Sequence, residues 1–148
     1  MLQQTLKQLF IRDLNKLKTE LELYQTESNI WQIAEGITNS AGNLCLHLVG
    51  NLNAFIGAEL GNTGYIRKRD LEFSLKDILR AELVKMVEDT RDMIATVLDT
   101  ITAGQIEAEY PLVVLDKKTS TEYFLTHLAT HLAYHLGQIN YHRRLLDK

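Results

Sequence analysis

Leu6, Phe10, Leu14, Leu17 and Leu21 recur at steps of three and four, with polar residues between them. That interval puts the apolar side chains on one face of an α-helix and predicts an amphipathic helix over about residues 2–24. Ser40 is a candidate cap for a second helix reaching about Leu60, with the stripe Leu44, Leu48, Leu52 and Phe55. The longest stripe runs through Leu75, Ile78, Leu79, Leu83, Met86, Val87, Ile94, Val97, Leu98 and Ile101. Ser74 followed by Asp77 resembles a capping box at its start, and Gly104 is a plausible stop. A fourth helix is expected from Thr119 or Ser120 to about Asp147, its core side formed by Phe124, Leu128, Leu132, Leu136 and Ile139.

Between these lie polar or mixed segments at 25–39, 61–73 and 103–119. The stretch 105–118 holds the only proline, Pro111, and the apolar run Leu112 to Leu115. It reads as an extended connection, or one strand laid against the helices. Four helices of this length predict an all-α four-helix bundle formed by residues 1–148 as one domain, with long loops.

Composition agrees with this reading. The chain has 148 residues, 45% hydrophobic and 24% charged, enough to bury a core without staples. One proline leaves long helices uninterrupted. The net charge of −3 disfavours nucleic acid as a partner, because the densest basic cluster, Arg67-Lys68-Arg69, is followed at once by Asp70 and Glu72. Cys45 is the only cysteine, so no internal disulfide forms and a reducing compartment is expected. The N-terminus has no signal-peptide pattern, and no apolar run approaches the roughly 18 residues that span a bilayer. Cytoplasmic location and no membrane contact are the resulting expectations.

The five histidines carry the candidate chemistry: His47, His127, His131, His135 and His142. Three of them, His127, His131 and His135, follow at intervals of four. Each is therefore only roughly 40° round the helix from the last. Cβ atoms at that spacing are about 5–6 Å apart, so two imidazoles can share one divalent ion at roughly 2.0–2.1 Å. His131 and His135 border the core stripe of the fourth helix, and His47 faces inward from the second. Buried imidazoles need partners, and one metal ion can serve all three. His142, beside Arg143 and Arg144, is expected in solvent. His127 is a candidate partner of a ligand through its second ring nitrogen.

Other polar residues take lesser roles. Asn43 and Asn51 bracket His47 at one turn and are candidates to contact a bound ligand or simply to cap loops; Gln138 follows His135 by one turn and is a candidate to orient a histidine, to contact a substrate or to hold a helix contact. Cys45 reads as a small buried residue, and Trp31 as a lid on one bundle end or a pocket wall.

The segment Asn39-Ser40-Ala41-Gly42-Asn43-Leu44-Cys45-Leu46-His47-Leu48-Val49-Gly50-Asn51-Leu52 resembles the second helix of the DinB-like (YfiT-like) metalloprotein superfamily. His127-Leu-Ala-Thr-His131-Leu-Ala-Tyr-His135-Leu-Gly137-Gln138-Ile139 resembles its last-helix motif, H-x-x-x-H closely followed by G-Q-I. Arg67-Lys-Arg-Asp70-Leu-Glu72-Phe73 resembles the loop after its second helix. The resemblance implies a four-helix bundle, often a homodimer, with a metal triad at His47, His131 and His135. It differs at Leu136, where the family often has Arg.

Three neutral ligands leave an ion its full charge and open positions, the mark of a catalytic site. Imidazole suits zinc or nickel. No H-E-x-x-H is present, and no acidic residue lies between His127 and Arg144. The expected function is therefore a divalent-metal-dependent enzyme activating a small thiol or water, thiol transferase-like or hydrolase-like, with thiol chemistry favoured by the lack of a nearby carboxylate. The alternative is a non-catalytic, stress-related metal-binding bundle.

Overall fold

The computed structural model describes Met1–Lys148 and is helical throughout, without strands. We number the helices α1 (Leu2–Leu23), α2 (Ala41–Gly61), α3 (Arg69–Ser74), α4 (Arg80–Thr100), α5 (Ala103–Glu107) and α6 (Thr121–Leu146). A short 3-10 turn, Glu27–Trp31, lies between α1 and α2. The four long helices form the bundle. α1 packs along α4 and α6, and α2 packs along the same two from the opposite side, so α1 and α2 are diagonal partners.

The apolar stripes explain this packing. Leu6, Phe10, Leu14, Leu17 and Leu21 are all buried, as are Leu44, Leu48 and Leu52 of α2. Leu83, Val87, Ile94 and Leu98 of α4 and Phe124, Leu128, Leu132 and Ile139 of α6 complete the same core. Helix starts follow the caps: Ser40 Oγ accepts from the Asn43 N–H and Ser120 Oγ from the Tyr123 N–H, both at 3.1 Å. By length and composition α2 is apolar enough to cross a membrane, contrary to the expectation from sequence; here 56% of that apolar window is buried at the bundle centre.

Three expectations need correction. The third long helix starts at Arg80, not Ser74. Ser74 instead ends α3, and Asp77 has a left-handed φ of 59°, which breaks the helical path. Consequently Leu75 and Leu79 are exposed at 41% and 61%, outside the buried stripe that the sequence period predicts for them. At the other end the helix stops at Thr100, and Gly104 lies inside α5, which Thr102 and Gln105 cap reciprocally. The segment 105–118 holds the end of α5 and one isolated bridge, Glu109 to Ser120, in place of a strand.

Two further features shape α2 and the end of the bundle. Asn53–Ala58 of α2 is wound as a π-helix, where the Phe55 carbonyl accepts from the Tyr110 hydroxyl at 2.6 Å. Trp31 lies flat on the start of α2, as expected for a bundle-end lid, and a Cβ at Gly42 would meet its ring at 2.7 Å. Its indole N–H donates to the Ile78 carbonyl, tying the 75–79 turn to that end.

Candidate metal centre

His47 sits in the middle of α2, and His131 and His135 face it from α6. The bundle crossing closes the gap that 84 residues of sequence separate. Their nitrogens lie within 4.8 Å of one another. His47 Nε2 and His131 Nε2 are 3.3 Å apart. Two nitrogens at zinc-bond length on a tetrahedral ion stand about 3.3–3.4 Å apart, so this pair already has the spacing of two ligands on one ion. His135 presents its ring edge-on to both, with centroids 5.3 Å from His47 and 4.6 Å from His131.

The unused nitrogens fix the ring orientations. His47 Nδ1 faces Glu72 Oε1 at 3.1 Å, so Nδ1–H donates to the carboxylate and Nε2 keeps its lone pair for the cluster. His135 Nδ1 stands 2.7 Å from Gln138 Oε1 and donates to it, which frees the His135 Nε2 lone pair in the same way. His131 Nδ1 is sealed from solvent with no partner.

Glu72 stands beside His47 and corrects the expectation that no carboxylate lies near the site. It comes from α3, which the sequence pattern did not predict. Its side chain is only 7% accessible. Arg67 grips it through Nε at 2.8 Å and Nη2 at 2.9 Å. Burial alone would raise the Glu72 carboxyl pKa, but hydrogen bonds from His47 and Arg67 outweigh this and hold it below the ordinary carboxylate range. Both its oxygens are therefore engaged, Oε1 by His47 and Arg67 and Oε2 by Arg67. It orients His47 and is not free to take a proton from a bound water.

Local sequence places Glu72 there. Gly50 is one turn from His47 on the same face of α2, and a Cβ at Gly50 would collide with the Glu72 carboxylate. Asn43 donates through Nδ2 to the Glu72 and Leu75 carbonyls, both at 2.9 Å. Its Oδ1 accepts from Ser40 Oγ and Lys76 Nζ. Asn43 is thus a clamp holding α3 on α2, the capping role among its sequence alternatives.

The remaining candidates separate clearly. Asn51 is buried with Oδ1 unpartnered and makes no bond to the three histidines. His127 stacks on Phe124 and, at 6.3 Å between centroids, on His131, without a hydrogen bond to a ligand ring. His142, expected in solvent, is 8% exposed, because α6 continues against the bundle to its last turns. Cys45 is buried, and burial pushes its thiol up to about 12, so it offers no thiolate.

Burial first, then His135 and His47, push the His131 pKa down to about 4, and burial chiefly lowers that of His135. Both rings are thus neutral at pH 7, the state a metal requires. An unfolded chain takes up these protons near ~6.5, whereas the folded, metal-free chain takes up that of His131 only near 4. Between these values the unfolded state binds more protons, so the stability of the metal-free protein falls as pH drops across this window. Urea midpoints at pH 7.5 and pH 5 are expected to differ in that sense. The difference should shrink in His131→Asn; an unchanged difference there would assign the effect to other groups.

No curated protein and no solved structure matches the chain. A family profile matches residues 3–148, nearly the full length of the sequence, and the chain therefore belongs to the family described as protein of unknown function, DUF1572.

Proposed function

We propose that this protein is a divalent-metal-dependent enzyme in which His47, His131 and His135 hold one ion, zinc or nickel, that activates a small thiol or water. The observation that carries the reading is the convergence of three imidazoles, two of them already at ligand spacing. Glu72 on His47 and Gln138 on His135 support it, because outer partners of this kind set the tautomer that a metal ligand needs. The resemblance to DinB-like metalloproteins, noted at these residues, points the same way and adds the homodimer to the reading.

An ion held by neutral imidazoles keeps its +2 charge and lowers the pKa of a bound thiol or water. The protein's own groups then divide the work. Glu72 and Arg67 neutralise each other, so they add no net charge to the site. No fourth His, Cys, Asp or Glu joins the cluster, so the chain itself would supply three ligands. Since both Glu72 oxygens are engaged, a free carboxylate base is lacking, and activation of a thiol is favoured over hydrolysis. The same three-residue cluster also suits a metal-binding bundle without catalysis.

The test is metal analysis of untagged protein, followed by a screen in which small thiols are offered electrophiles. We expect one divalent ion per chain and metal-dependent thiol conjugation that a chelator abolishes. Absence of stoichiometric metal would overturn the proposal. Bound metal without conjugation or hydrolysis would leave the non-catalytic reading.

A further inference from the structure

Beside His135, the 36–39 segment and the C-terminal half of α6 border an open cavity of about 390 Å³. That size suits a small organic molecule. Eleven residues line it, and none is Lys, Arg, Asp or Glu. A charged ligand would therefore lose hydration without meeting a counter-charge. Ile37, Leu44, Leu145 and the rings of Tyr134 and Tyr141 supply apolar wall.

Two polar side chains in the wall have hydrogen-bonding groups that no other side chain uses. His142 is 8% exposed, its Nδ1 is sealed without a hydrogen bond, and no group of the chain bonds its Nε2. Burial lowers its pKa, so the ring is neutral at pH 7. Gln138 gives Oε1 to His135 Nδ1, which leaves both donors of its amide nitrogen unused. One sealed, unpaired nitrogen is costly for a structural residue, and Nε2, which is not sealed, is the nitrogen a ligand can reach. A ligand oxygen over Nε2 would accept its N–H and hold the ring in that one tautomer.

We propose that this cavity binds a small uncharged molecule with a flat or branched apolar body and one oxygen acceptor, held by the Gln138 amide and the His142 ring. Binding needs no metal. The cavity's service as the substrate compartment of the metal centre rests on the reading above, since His135 and Gln138 belong to both.

Benzamide is the probe, titrated into metal-free protein and followed by amide NMR. We expect saturable binding with Kd on the order of 1 mM. Shifts should centre on Thr38, Asn39 and the Gln138 side-chain amide. Benzoate and benzylammonium, of similar shape but charged, should bind about tenfold more weakly, a difference of roughly 1.4 kcal/mol. Loss of one neutral hydrogen bond in His142→Phe should weaken benzamide about fivefold. Thr38→Trp, placed on an exposed loop residue, should fill the mouth and abolish binding without a demand on the core. Shifts centred elsewhere, benzoate binding as tightly as benzamide, or unchanged affinity in Thr38→Trp would overturn the proposal. Metal content, measured separately, reads the other hypothesis: benzamide can fail in a protein that binds its ion, and can bind in one that does not.

Discussion

His131→Ala is expected to abolish stoichiometric metal binding, and His47→Ala and His135→Ala to do the same. Each removes one of three ligands, and no fourth His, Cys, Asp or Glu stands within the cluster to replace it. Loss of an outer partner of a ligand alone costs 10- to about 100-fold in affinity, so loss of a ligand itself should exceed 100-fold. His142→Ala is the control. Its ring is buried on the same helix, outside the cluster, and occupancy should be unchanged. Calorimetric titration of zinc or nickel into metal-free protein checks all four. Parental affinity in His47→Ala would show that α2 contributes no ligand and would end the two-helix site.

Glu72→Ala should act on metal affinity and stability together. The variant strips His47 Nδ1 of its acceptor and leaves Arg67, 17% accessible, without its carboxylate. The expected losses are about 10- to 100-fold in metal affinity and about 2–3 kcal/mol in stability of the metal-free chain, somewhat less than for a fully buried pair. Glu72→Gln retains an oxygen for His47 and the side chain's shape, and should recover part of both. Asp70→Ala removes an equal charge from an exposed position of α3 and should change neither. Urea unfolding and metal titration of the three variants decide the matter. A Glu72→Ala protein with parental metal affinity would make Glu72 a purely structural residue.

The two effects are coupled through the seating of α3. This six-residue helix is too short to be stable alone. It is held by Asn43 on its last carbonyls and by the Glu72–Arg67 pair over Gly50. The carboxylate that orients a metal ligand is thus also one of the contacts fixing the helix that carries it. For that reason the stability arm is measured without metal, where the ion adds nothing to the folded state.

The sequence by itself determined the long elements and the three central histidines. Leu6 to Leu21, Leu44 to Leu52 and Phe124 to Ile139 show helical period over enough turns to fix which face is buried, and Ser40 and Ser120 mark the starts. A four-residue interval aligns His131 with His135 for the same geometric reason, and His47 follows from its place beside the α2 stripe. Tertiary structure alone decided the rest. Glu72 and Arg67 lie in a short polar stretch with no periodicity, and their pairing with His47 depends on α3 crossing α2 at Gly50; the glycine one turn from His47 was the only local trace of that approach. Asp77 turns left-handed and releases Leu75 and Leu79 from a stripe that sequence periodicity extends across them. His142 reads as solvated beside two arginines, yet the last turns of α6 bury it. Period reports which face of one helix is apolar. It carries no information on where a short segment lands or on what another element lays over a polar residue, because those are set by packing between parts of the chain distant in sequence.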